Sequence, residues 1–96
     1  MMWNSKYVQN ENVITRQLAE LTVLVPIRGQ LVDLQQLFTL NPVAEFIWRR
    51  LDGRTPMEAI LRAALDTYQV EREQVAADAE SFIRTLLQRE LIVEVP

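Results

Sequence analysis

The chain has 96 residues, of which 49% are hydrophobic and 24% charged, and its formal net charge is −3. It contains no Cys and no His, which excludes disulfides, thiolate nucleophiles, most transition-metal sites and the commonest general base. The acidic balance argues against nucleic-acid binding, because basic residues supply much of that affinity. No apolar stretch reaches the roughly 18 residues of a membrane-spanning helix. We therefore expect a cytoplasmic protein without metal or cofactor, and without a membrane or nucleic-acid partner.

The first part of the chain has the residue pattern of strands. We expect residues 1–12 to be a flexible lead-in and residues 13–96 to be a single domain. Alternation predicts a first strand over 13–18, and a β-branched run predicts a second over 21–27, in which the proline suits a strand end. The third strand is predicted over 37–40, with 28–35 as a connecting loop. One long strand over 30–40 is the alternative.

After residue 40 the apolar period changes from two to 3.6, which predicts helices. Asn41-Pro42 is typical of a helix start, and Asp52-Gly53 is typical of its end. Thr55-Pro56-Met57-Glu58 predicts a second helix with Thr55 as its N-cap and with a capping box, in which Glu58 reaches back to the Thr55 N–H. A third helix is predicted over about 72–89, and a closing strand over 91–95. This order predicts an α+β, winged helix-turn-helix-like fold, in which a three-stranded antiparallel sheet is followed by three helices.

The sequence has no motif for catalysis. Its carboxylate pairs, such as Glu71/Glu73, follow the spacing of a solvated helix face, and two glycines cannot form a phosphate-binding loop. We expect no enzymatic activity, no catalytic residue and no metal site. The third helix carries balanced charge, with no base-reading cluster in its first turn. A winged-helix DNA-binding regulator is nevertheless the alternative function.

An open sheet edge is the feature that suggests binding instead. A three-stranded sheet with helices on one side leaves an edge strand with unpaired N–H and C=O groups. An extended peptide can add to such an edge, where main-chain bonds give affinity and side-chain pockets give selectivity. The same edge supports a homodimer, so an oligomerising subunit is a third class of function.

Several motifs, in a fixed order, resemble the family of coenzyme PQQ synthesis protein D (PqqD). They extend over about residues 13–95, and the chain departs from the family at Val43, where relatives often have a small residue, and at Glu90-Leu91, where Gly-Leu is frequent. The matching residues are Leu40-Asn41-Pro42 with Ile47-Trp48, then Leu51-Asp52-Gly53-Arg54-Thr55, Ile60 and Tyr68, and finally Asp78 with Phe82 and Leu86.

The resemblance implies a non-enzymatic peptide chaperone, a recognition element for ribosomally made and modified peptides. Such a domain binds the leader of a precursor peptide and presents it to a modifying enzyme. PqqD acts in PQQ biosynthesis, where the modifying enzyme is a radical S-adenosylmethionine protein. The resemblance therefore implies an enzyme of this type as the candidate partner.

The resemblance also implies where the leader binds, namely between the third strand and the third helix. Core packing is the competing interpretation for Val75 and Phe82, and pairing with an arginine of the same chain is the competing interpretation for Asp78. The implied peptide-binding residues are Gln36, Leu37, Phe38, Thr39 and Leu40 on the strand, and Val75, Asp78, Ala79 and Phe82 on the helix.

Overall fold

Two antiparallel sheets and three helices form the part of the chain that the computed structural model describes, residues 2–28, 31–32 and 37–96. None of these helices has the length and apolar character needed to cross a membrane. In chain order, the elements are a short 3₁₀ helix (Met2–Asn4), β1 (Lys6–Gln9), β2 (Val13–Leu18), β3 (Leu21–Arg28), β4 (Leu31–Val32), β5 (Phe38–Leu40), α1 (Pro42–Arg49), β6 (Asp52–Pro56), α2 (Met57–Thr67), α3 (Arg72–Gln88) and β7 (Ile92–Val95).

The first sheet contains the strands that the sequence predicts. β3 pairs on one side with β2, where Val13 lies opposite Pro26, and on the other side with β5, where Leu24 lies opposite Phe38. The α+β arrangement of a three-stranded antiparallel sheet followed by three helices is therefore confirmed. The prediction of a loop over 28–35 is wrong in part, because Leu31 and Val32 form β4, which pairs with the end of β3. The alternative strand over 30–40 includes residues outside those described.

The second sheet has the order β6-β1-β7 and joins distant parts of the chain. Its central strand β1 lies within residues 1–12, for which the sequence predicts a flexible lead-in. Tyr7 of β1 is 3% exposed, and Ser5 accepts a backbone hydrogen bond from Met57. The polar sequence around β1 does not predict a strand, because β1 is stabilised by pairing with β6 and β7 rather than by local alternation.

The start of α1 agrees with the sequence, whereas the end of α1 and the start of α2 differ from it. Asn41 caps α1 as predicted, since its side-chain oxygen accepts from the Ala44 amide at 2.8 Å. Two predictions are wrong: Asp52-Gly53 does not end α1, and Thr55 is not the N-cap of α2. Residues 52–56 form β6 instead, and α2 begins at Met57.

The turn at the start of β6 explains why Thr55 is not available as a cap. The Asp52 carboxylate accepts hydrogen bonds from the amides of Arg54 and Thr55, at 2.8 and 2.9 Å, and from the Thr55 hydroxyl at 3.2 Å. These bonds, with the Arg54 amide first, hold the pKa of Asp52 below its ordinary value. Thr55 is thus committed to Asp52, and the capping box cannot form.

The core lies between the sheets and the helices, and Trp48 connects them. Its indole N–H donates to the Thr15 hydroxyl on β2 at 3.0 Å, and its backbone carbonyl accepts from Gln9 on β1 at 2.6 Å. One α1 residue therefore fixes the helix against both sheets. The other large side chains that are fully buried are Leu24, Met57, Ile60, Ile83, Leu86 and Ile92.

Candidate functional site

A groove of about 430 Å³ runs between β5 and α3. Phe38 and Thr39 form its strand wall, and residues of one α3 face form its helix wall. Val43, Ala44 and Ile47 of α1 form the floor, and Val70, Glu71 and Gln74 close the end near the start of α3.

The strand wall has one side that no other strand occupies. β5 pairs with β3, and among the described residues no strand pairs with its other edge. Because side chains alternate along a strand, Leu40 is directed into the core, where it is 3% exposed, while the Thr39 side chain is exposed. Backbone N–H groups alternate as well, so part of the β5 backbone is available to a further strand.

The helix wall follows from helical spacing, since residues three and four positions apart share one face. Val75 and Ala79 are buried on this face, and Ala79 leaves space opposite β5 because its side chain is small. Phe82 is partly buried, and its ring lies 5.8 Å from that of Phe38 with the planes at 52°. This aromatic pair joins the two walls at one end of the groove.

The floor is held against the sheet by a polar contact. The buried hydroxyl of Thr22 on β3 donates to the Glu45 carboxylate on α1. This bond, with a smaller contribution from Arg49, holds the pKa of Glu45 below its ordinary value. The contact fixes α1 beside β3, which places Val43 and Ile47 beneath the groove.

The polar side chains of the groove are mainly acidic or neutral. Glu71 and Asp78 both line it, and the Asp78 carboxylate accepts from the Gln74 amide at 3.1 Å. Among the described residues no arginine pairs with Asp78. The Arg89 guanidinium lies 5.1 Å from the centre of the Phe38 ring, outside the lining and at the opposite end.

The structure brings most of the predicted site residues together and separates others. Phe38, Thr39 and the four predicted residues of α3 all line the groove. Leu40 belongs to the core, and Leu37 precedes β5 with 41% of its surface exposed, outside the lining. Gln36 lies outside the described residues. Val75 and Phe82 combine the two interpretations, because each packs against the interior and also faces the groove.

Sequence reasoning missed the floor and the closed end of the groove. Val43 and Ile47 lie one helical turn apart, a spacing that is equally typical of a core-facing helix. The signal that could identify them is the small Ala44 beside them, which leaves room above α1. No group of three or more acidic residues in the described part of the chain is placed to hold a metal ion.

The family described as coenzyme PQQ synthesis protein D (PqqD) matches residues 22–92. The chain belongs to the PqqD family. The match extends from β3 into β7 and therefore includes both walls and the floor of the groove.

A solved structure with a similar fold is "TbiB1 in Complex with the TbiA(beta) Leader Peptide". The two chains are 26% identical, the TM-score is 0.68, and the alignment covers 88% of this chain and 93% of the other. Among curated proteins, none gives a significant match. The PqqD-family fold is thus shared with a protein whose structure contains a leader peptide.

Proposed function

We propose that this chain binds the leader of a ribosomally made precursor peptide in the groove between β5 and α3, and presents it to a modifying enzyme. The observation that carries this proposal is the edge of β5 that no strand of the described residues occupies, together with the apolar wall of α3 across the groove. Membership of the PqqD family and the similarity to TbiB1 support it.

The binding mode follows from the two walls. The leader adds to β5 as a strand, so its backbone bonds to the outward N–H and C=O groups of residues 38–40. Alternate side chains of the leader then point at α3, where Val75, Ala79 and Phe82 give apolar contact. Thr39 and Asp78 supply polar contacts at the rim, while Leu40 supports β5 from the core.

The role is binding rather than catalysis, and the chain supplies no covalent step. The modifying enzyme is the second partner, and a radical S-adenosylmethionine enzyme is the candidate because PqqD works with one. We expect the chain to act in the cytoplasm, where ribosomal precursors are made, and not on nucleic acid. Strand addition between two copies at the same edge of β5 would compete with the leader.

Proline substitution tests the strand-addition mechanism, because proline has no N–H to donate. Phe38→Pro and Thr39→Pro are each compared with alanine at the same position, and short peptides encoded beside this gene are titrated against them. N–H groups alternate along β5, so one proline variant should lose binding while its fold is retained. The other should lose the pairing with β3 and become less stable.

Circular dichroism and urea unfolding identify which variant remains folded. The proposal is wrong if every folded proline variant binds the peptide as tightly as its alanine control. Duplex DNA is titrated in parallel. A sequence-specific complex that survives about 200 mM salt would favour the DNA-binding regulator instead.

A further inference from the structure

The acidic side chains of the groove and the nearest arginine beyond its lining lie toward opposite ends of α3. Asp78 and Glu71 lie on the half formed by the start of α3, and none of the described residues that line the groove is Lys or Arg. Arg89 lies beyond the end of α3, with its guanidinium beside the Phe38 ring. A ligand that follows β5 therefore meets the Asp78 carboxylate inside the groove and the Arg89 guanidinium beyond its other end.

These charges are available to a ligand. Asp78 and Arg89 are both exposed, and among the described residues neither takes part in an ion pair. Arg84 on the same helix is different, since it pairs with Glu80 at 2.8 Å one turn earlier. The positive charge of Arg89 also interacts favourably with the C-terminal end of the α3 dipole. The experiment must therefore distinguish stabilisation of α3 from recognition of the ligand.

The spacing of the charges sets the length of the ligand segment. Asp78 and Arg89 are separated by about 16 Å along a helix that rises 1.5 Å per residue. An extended chain covers that distance in about five residues. The Arg89 side chain reaches back to Phe38, so the distance between the two charges corresponds to about four residues of the ligand. An even spacing places both charged side chains on the same face of the ligand strand.

The pairing pattern sets the direction of the ligand. Every strand pairing of the described residues is antiparallel, and antiparallel pairs are the more frequent kind in proteins. β5 runs from Phe38, beside Arg89, to Leu40, beside the start of α1. A strand added in the opposite direction begins at Asp78 and ends at Arg89.

We propose that the groove recognises a leader segment in which Lys or Arg is followed, four residues later, by Asp or Glu. Apolar residues lie between them at alternate positions and contact Ala79 and Phe82. This inference rests on the proposed function and adds the charge order and direction of the peptide.

A displayed library of random twelve-residue peptides tests this order, because such a library contains both charge orders. The parent chain, Asp78→Asn, Arg89→Glu and the control Arg84→Glu are each used for selection, after circular dichroism has shown that they fold. Peptides enriched on the parent and on Arg84→Glu should share the basic-to-acidic order. On Arg89→Glu the acidic preference should disappear, and on Asp78→Asn the basic preference should weaken.

One enriched peptide is then compared with an isomer in which its two charged residues are exchanged. The exchange should weaken binding by about tenfold at low salt, and the difference should narrow as salt is added. Peptides that bind without a charge preference, or with the reversed order, would overturn this inference and leave the proposed function intact. If no peptide is enriched on the parent, both are wrong.

Discussion

Phe82 offers the sharpest separation between folding and binding. Its ring packs against Phe38 at a centroid distance of 5.8 Å and lines the groove, but it is only partly buried. Removing a fully buried phenylalanine side chain costs about 3–5 kcal/mol, and an aromatic pair contributes about 0.5–1.5 kcal/mol beyond area burial. Because one side of the ring is open to the groove, we expect Phe82→Ala to lower the free energy of unfolding by about 2 kcal/mol.

Phe82→Ala should also weaken peptide binding, by more than its lower free energy of unfolding would cause. An aromatic anchor in a binding site commonly contributes more than about 1.4 kcal/mol, which corresponds to a tenfold change in Kd. A peptide that binds the parent chain should therefore bind Phe82→Ala at least about tenfold more weakly. Ile83 provides the matched control, because the neighbouring side chain is fully buried and does not line the groove.

Urea unfolding and peptide titration are carried out on both variants. Ile83→Val should lower the free energy of unfolding by about 0.5–1.5 kcal/mol and leave binding unchanged. Phe82 would be solely a core residue if Phe82→Ala lowered the free energy of unfolding by more than about 3 kcal/mol and still bound the peptide like the parent.

Three further predictions concern β6. Gly53→Ala should destabilise the fold by about 1–2 kcal/mol, because Gly53 has φ +78° and a Cβ there would lie 3.3 Å from the Val8 Cβ; an unchanged urea midpoint would contradict this. Thr55→Ala should lower the free energy of unfolding by less than the roughly 1 kcal/mol of a lost helix cap, since among the described residues the Thr55 hydroxyl makes only an exposed hydrogen bond to Asp52. A larger decrease would favour the helix cap that the sequence predicts. The pKa of Asp52 is lower in the folded than in the unfolded chain, so the stabilisation it gives is present above the unfolded pKa and is lost as pH falls through the folded pKa. Below about pH 4, the free energy of unfolding should therefore depend less on pH in Asp52→Asn than in the parent. An identical pH dependence in the two proteins would contradict this.

The sequence predicts those elements whose signals are local. Asn41 caps α1 with its own side chain, and the apolar face of α3 follows directly from helical spacing. These patterns need no information from distant residues. The same is true of the β2–β3 hairpin, in which the first strand has alternating residues, the second is rich in β-branched residues, and a short turn joins them.

The elements that depend on distant partners are predicted poorly. β1 pairs with β6 and β7 from the second half of the chain, so the polar segment around Tyr7 shows no strand signal of its own. Thr55 stands in a sequence that fits a capping box, but pairing of β6 with β1 draws residues 52–56 into an extended conformation.

The groove shows the same division. Helical spacing places Val75, Ala79 and Phe82 on one face of α3, and the resemblance to the PqqD family is what implies that this face binds the leader. The floor is not predictable, because Val43 and Ile47 have the pattern of ordinary core residues, and only the packing of α1 between β5 and α3 places them under an open space.

Amide hydrogen exchange along β5 tests strand addition most directly. Exchange is measured by NMR on labelled protein with and without a bound precursor peptide, and amides of the central strand β1 serve as the internal control. Outward-pointing amides of residues 38–40 should become protected on binding, while inward-pointing amides already bonded to β3 should change little. A bound peptide that leaves every β5 amide as exchangeable as before would contradict the account.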